Sequence, residues 1–141
     1  MTAMRNLLFL SAMAMLAAAP MSAFADGATV VTPSADLKWK DMGNGVSAAQ
    51  VSGDMGTGAS RFFLKYPVGL VTPNHHHDAD HYGTLVSGSV TLDVGGKRHK
   101  LGPGSYFALT GKAPHTATVE GDEPAVLFIE ADGPWNVVSD E

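Results

Sequence analysis

From Asp26 to the C-terminus, no stretch of this sequence keeps a helical repeat for more than two turns before glycine or proline interrupts it. Short apolar segments lie between these breaks: Arg61 to Tyr66, Gly83 to Val86, Ser89 to Val94, Ser105 to Leu109, Thr116 to Val119 and Ala125 to Glu130. Several are rich in β-branched or aromatic residues, which suit a pleated, half-buried surface. Val90, Leu92 and Val94 alternate with Ser89, Thr91 and Asp93, the period-two signature of a strand with one buried face. Gly95-Gly96 is a two-residue hairpin signal, since a primed turn needs positive φ at its centre. Gly102-Pro103-Gly104 and Gly121-Asp122-Glu123-Pro124 mark two more turns. Many short strands with turns at this spacing predict an all-β barrel or sandwich.

The chain of 141 residues has room for one domain. Its first 25 residues are set apart: Arg5 precedes an apolar run from Leu7 to Ala19, Pro20 ends that run, and Ala23-Phe24-Ala25 presents small residues just before Asp26. This order is that of a signal peptide (residues 1–25). A membrane anchor is the competing reading, but the run is short against the roughly 20 residues a span needs. The expected location is therefore periplasmic or secreted, with no membrane association after cleavage. Removing Arg5 changes the charge balance from 9 − 14 to 8 − 14, a net −6. An acidic chain without a strong Lys/Arg cluster excludes nucleic acid and anionic membrane as natural partners. The one basic run, Lys97-Arg98-His99-Lys100, follows the Gly-Gly turn and reads as a solvated edge. With no cysteine in the chain, disulfides, thiolate ligands and a lipid anchor are all excluded. Residues 26–52 read as an N-terminal arm with an extra edge strand around Leu37-Lys38-Trp39, and residues 53–141 as the barrel domain.

The segment from Thr72 to Gly83, TPNHHHDADHYG, holds four of the six histidines. Residues two apart on a strand share a face, so His75 and His77 project together and His76 points away. Asp78-Ala79-Asp80 suits a bend that re-aims the chain and returns His81 toward the pair. His115, 34 positions after His81, opens another strand. Converging neutral imidazoles suit a divalent transition metal: Mn, Fe, Zn, Ni or Cu. The alternative is a solvated loop or a crude metal-scavenging tract. Asp78 and Asp80 are candidates to orient an imidazole N–H, or else plain bend residues. Tyr82 and Tyr106 are candidate donors at the barrel mouth, or packing residues with a wet tip. Phe62, Phe63, Phe107 and Phe128 are expected in the core, Trp39 and Trp135 as packing caps or dimer contacts, and His99 in solvent. No nucleophile elbow, phosphate loop or paired-carboxylate signature occurs, so any catalysis belongs to the metal.

Gly69-x5-His75-x-His77-x3-His81-x6-Gly88 resembles the first signature of the cupin superfamily, G-x5-H-x-H-x3,4-E-x6-G. The resemblance implies that His75 and His77 are metal ligands and that His81 stands where the family carries a glutamate. The second signature, G-x5-P-x-G-x2-H-x3-N, is kept only at Gly104 and His115; Thr110, Lys112 and Val119 replace the proline, glycine and asparagine. The similarity runs from about Gly53 to Glu130. Together with the closing Asp132-Gly133-Pro134-Trp135, it is similar to small single-domain cupins related to the ChrR-type domain. It implies a jelly-roll β-barrel with one divalent metal held inside by His75, His77, His81 and His115. It also implies a small-molecule ligand or substrate, and a homodimer formed through edge strands. Two functions follow: a metal-dependent, dioxygenase-like enzyme, or a non-catalytic metal- or ligand-binding module.

Overall fold

The computed structural model describes residues 29–141, and the signal-peptide expectation for residues 1–25 lies outside them. Eleven strands are present among the described residues: β1 (Lys40–Gly43), β2 (Val46–Gly53), β3 (Ser60–Tyr66), β4 (His75–His76), β5 (His81–Ser87), β6 (Ser89–Val94), β7 (Lys97–Leu101), β8 (Tyr106–Leu109), β9 (His115–Glu120), β10 (Ala125–Ala131) and β11 (Val138–Ser139). They form two antiparallel sheets, β1-β2-β3-β10-β5-β8 and β11-β4-β9-β6-β7, which face each other as an all-β jelly-roll barrel. A single 3-10 turn, Ser34–Asp36, precedes them.

The alternation of residue types becomes an alternation of burial. Along β3, β5, β9 and β10 every second residue points inward. The inward set, led by Phe62, Leu64, Leu85, Val90, Val119, Leu127 and Ile129, forms one contiguous core between the sheets. This burial is the main favourable term in a chain without crosslinks. Gly95 and Gly96 adopt φ of +60° and +78°, the primed hairpin expected for them, and join Val94 to its partner Lys97. Gly88, at φ +85°, is the corner where the chain leaves the six-stranded sheet for the five-stranded one. A Cβ there would lie 2.6 Å from the Pro124 carbonyl oxygen, so the corner accepts only glycine without rearrangement.

Three placements differ from the sequence reading. The edge strand of the arm lies at Lys40–Gly43, beyond Leu37-Lys38-Trp39, and β2 within the same arm is an integral strand paired to β3. Phe63 and Phe128 lie outside the core and pack on each other at 5.2 Å on the outer face of their sheet. Adjacent strand residues face opposite sides, so Phe62 and Phe63 cannot both point inward. Thr91 is buried, its hydroxyl donating to Glu120 at 2.9 Å. The basic run forms β7, the exposed charged edge of the five-stranded sheet, with His99 in solvent. Charge on an unpaired edge opposes strand addition by other chains.

Candidate metal centre

The histidines are brought together by strand pairing. Residues 70–72 lie along β9, with Thr72 N–H donating to Ala117 O at 2.9 Å and Val119 N–H to Leu70 O at 2.8 Å. This continues into β4, where His75 sits directly opposite His115. On the other side β4 pairs with β11, Ser139 facing His75 and Val138 facing His76. His75, His77 and His115 thus belong to the five-stranded sheet and its loops. Their ligand atoms all lie within 4.8 Å of one another. His81 begins β5 in the opposite sheet, between Leu109 and Ala131. Its ring centre is 4.7 Å from that of His77 and 5.9 Å from that of His115. The expected quartet is therefore a tight trio with a fourth imidazole facing it across the barrel, just outside the trio's compass.

All four rings are 3 to 5% exposed, and each has one nitrogen engaged. The Nδ1 of His75 is 2.8 Å from Pro73 O, that of His115 is 3.0 Å from Ala113 O, and that of His81 is 3.4 Å from Ala79 O. The Nδ1 of His77 is bonded to Asn136 O. A carbonyl only accepts, so each Nδ1 carries a proton, and in a neutral imidazole that leaves the lone pair on Nε2. Holding one nitrogen this way fixes the tautomer that a metal requires. Burial also disfavours the charged form of three of the rings. It pushes the His77 pKa down to about 3, aided by His81, and that of His81 to about 4; burial lowers His115 as well. Neutral, desolvated, oriented nitrogen donors without a carboxylate or thiolate among them match a divalent first-row transition metal.

These shifts have a consequence for the metal-free protein. The unfolded chain, with imidazoles near 6.5, binds more protons than the folded chain at any pH between that value and the depressed folded values. Stability is therefore full above about pH 7 and falls as pH drops through 6.5 toward 4, by on the order of 1–2 kcal/mol for each of His77 and His81 by pH 5. Denaturant midpoints measured across this range in a chelator will fall; a flat profile from pH 7 to 5 would contradict the neutral cluster.

The rings line one end of a cavity of about 30 Å³ whose other walls include Leu64, Val90, Leu92, Phe107, Leu127 and Ile129. Phe107 reaches this interior because Gly83 opposite it has no side chain; a Cβ there would run into the ring. Tyr66 supplies the one other titratable side chain on the lining, and burial pushes its pKa up to about 12, so it remains a neutral phenol. Trp135 closes the histidine end. It stacks on His77 at 3.9 Å, meets His81 edge-on at 5.0 Å and touches the core through Phe62 at 5.1 Å.

The remaining candidates take other positions. His76 faces away from the trio and pairs with Asp140 at 2.9 Å. Neither Asp78 nor Asp80 bonds an imidazole of the cluster, because backbone carbonyls already accept those N–H groups. Asp78 instead receives Asn136 Nδ2–H at 2.6 Å and Lys112 Nζ at 3.0 Å, and Lys112 above all holds its carboxyl below the usual range. Asp80 accepts the Gly111 N–H at 2.8 Å. Tyr82 donates to Asp132 at 3.5 Å at the rim, and Tyr106 is 65% exposed. Trp39 lies away from the site, under the Lys65 ammonium at 4.3 Å. Sequence reasoning missed Asn136 and the carbonyls of Pro73, Ala79 and Ala113. The last three share a signal, each lying two residues before a histidine of the cluster.

Residues 62–130 match the family model described as Cupin domain. The barrel, the position of His75 and His77 before β5, and His115 at the head of β9 agree with that match. Residues 62–130 form a cupin domain. Solved structures with the same fold include the polyketide cyclase RemF from Streptomyces resistomycificus, 18% identical with a TM-score of 0.65, covering 81% of this chain and 87% of that one. The DMSP lyase DddQ from Ruegeria pomeroyi DSS-3 is 20% identical with a TM-score of 0.62, covering 75% and 62%. The anti-sigma ChrR from Rhodobacter sphaeroides, in complex with SigE, is 21% identical with a TM-score of 0.59, covering 71% of this chain and 52% of that one. These likenesses establish the fold, and fold alone carries many functions. No functionally curated protein matches the sequence significantly.

Proposed function

We propose that this protein is an exported metal-dependent enzyme of the dioxygenase type, acting on a small organic substrate. The observation that carries the reading is the donor set: four buried imidazoles whose Nδ1 atoms are held by backbone carbonyls, and no carboxylate or amine on the cavity lining. Four neutral ligands leave a divalent ion's full charge uncompensated, whereas the glutamate expected at the position of His81 would cancel part of it. When bound, the metal supplies Lewis acidity and, if redox-active, electron exchange with dioxygen and substrate. The chain's residues do the rest. The imidazoles present lone pairs without carrying protons, Trp135 and the aliphatic walls exclude water, and Tyr66 contributes a protonated phenol deeper in the barrel. With no other acid or base on the lining, reactions that depend on a protein carboxylate are disfavoured relative to chemistry at the ion. The test is oxygen uptake and product formation by protein reconstituted with Mn, Fe, Ni, Cu or Zn on diketones, flavonols, thiols and phenols. Turnover with one redox-active metal supports the reading; no turnover with any metal contradicts it.

One observation favours a second reading. A cavity of about 30 Å³ admits only a few atoms. This suits a module that binds a metal, or a small ligand through it, without transforming it, and the fold is shared with the anti-sigma ChrR. A cobalt-substituted site without an exchangeable water would favour this alternative, because a four-imidazole tetrahedral site is closed.

A further inference from the structure

The C-terminal strap from Asp132 to Glu141 runs across the histidine end of the barrel, and one of its residues grips the chain beside a ligand at three points. The Asn136 carbonyl accepts the His77 Nδ1–H. The Asn136 side-chain oxygen accepts the Asp78 backbone N–H at 3.0 Å, and its amide nitrogen donates to the Asp78 carboxylate at 2.6 Å. The other Asp78 carboxylate oxygen meets Lys112 Nζ at 3.0 Å, three residues before His115. Lys112 holds a left-handed conformation, φ +56°, within the turn that delivers His115. Asp78 therefore joins the bend after His77, the strap and the turn before His115.

We infer that Asp78 is a positioning residue for the metal centre: through its reciprocal pair with Asn136 it sets the carbonyl that orients His77, and through Lys112 it registers the His115 turn. The inference rests on the reading that these imidazoles hold a metal. Exposed ion pairs contribute little to stability, so removing Asp78 leaves folding almost unchanged. The strap stays attached elsewhere, by Trp135 N–H to Met55 O at 2.7 Å, Asp132 N–H to Asp80 O at 3.0 Å and Asp140 N–H to Asn74 O at 3.0 Å. What is lost is the fixed place of Asn136, and with it the aim of the His77 ring.

The experiment is a competition titration of the chain with Zn²⁺ and Co²⁺, alongside thermal unfolding of each metal-free variant. Asp78→Ala and Asn136→Ala are each expected to weaken affinity by about 10-fold, as loss of a partner outside the ligand shell does. The double variant will be no weaker than either single one, because both remove the same pair. Asp78→Asn keeps an acceptor for both the Asn136 amide and the Lys112 ammonium and stays within about threefold of wild type, whereas Lys112→Ala, which frees the His115 turn but leaves the Asp78–Asn136 bond, falls between wild type and Asp78→Ala. Metal-free wild type will also show a slowly exchanging His77 Nδ1–H proton by NMR, lost in Asp78→Ala. Equal affinity and equal proton exchange in wild type and Asp78→Ala would overturn the inference. So would Asp78→Asn behaving like Asp78→Ala, because carboxylate charge alone would then be the cause. If wild type takes up neither ion, the metal reading fails, while the exchange comparison still decides the role of Asp78.

Discussion

His77→Ala is expected to lower metal affinity by more than about 100-fold, beyond the roughly 10- to 100-fold that outer partners contribute. His77 is at the centre of the cluster, its ring lying 5.0 Å from His75, 5.3 Å from His115 and 4.7 Å from His81. Removing it takes one of three ligand atoms from the tight group and leaves the remaining pair too few to hold an ion against water. His115→Ala will behave alike for the same reason. His81→Ala will cost less, on the order of 10-fold, because His81 faces the trio from the other sheet and its Nδ1 contact of 3.4 Å is the longest of the four. His76→Ala will bind metal as wild type does, since that ring points to Asp140. Chelator competition on the four variants checks this order. Equal losses in His76→Ala and His77→Ala would mean an undirected histidine tract.

The second large effect falls on stability. Phe62 is fully buried and meets Trp135 edge to face. Its replacement by alanine is expected to cost about 3–5 kcal/mol, from lost burial and the cavity left behind. That is a large share of the roughly 5–15 kcal/mol typical of a domain. Phe63→Ala, one residue away on the outer face, will cost much less, because Phe63 is only half-buried. Urea unfolding of the two variants measures the difference. Because Trp135 leans on both Phe62 and His77, Phe62→Ala will also loosen the lid over the metal site. A cost at Phe62 no greater than at Phe63 would contradict the inward register of β3.

Much of this architecture was legible because it depends on local chemistry. Val90, Leu92 and Val94 alternate because one face of β6 is covered, and Gly95-Gly96 adopts the one turn that two adjacent positive φ values favour. The separation of His76 from His75 and His77 follows from the same period of two. β2 was harder to see, because Ser47-Ala48-Ala49-Gln50 has weak strand propensity. It is a strand because Ala48 and Ala49 are buried against β3, a decision made by tertiary packing. β4 and β11 have two residues each and exist only through pairing, β11 with β4 and β4 with β9. At the site, residue types announced the imidazole cluster but not its supports. The acceptors for the imidazole N–H groups are main-chain carbonyls, which every residue possesses, so Asn136, 59 positions from His77, carried no distinguishing mark. Asp78 and Asp80 had the chemistry to hold an imidazole, but the bend directs them to Lys112, Asn136 and Gly111.

The central claim is that one divalent transition metal is held by imidazoles alone inside this cupin barrel. Elemental analysis of the protein purified without added metal, followed by X-ray absorption at the edge of the metal found, tests it most directly. The account predicts about one metal per chain with three or four imidazole ligands, and oxygen from solvent or substrate as the only other donor. Protein that takes up no transition metal, or whose metal is ligated by protein carboxylates in place of the histidines, would contradict it.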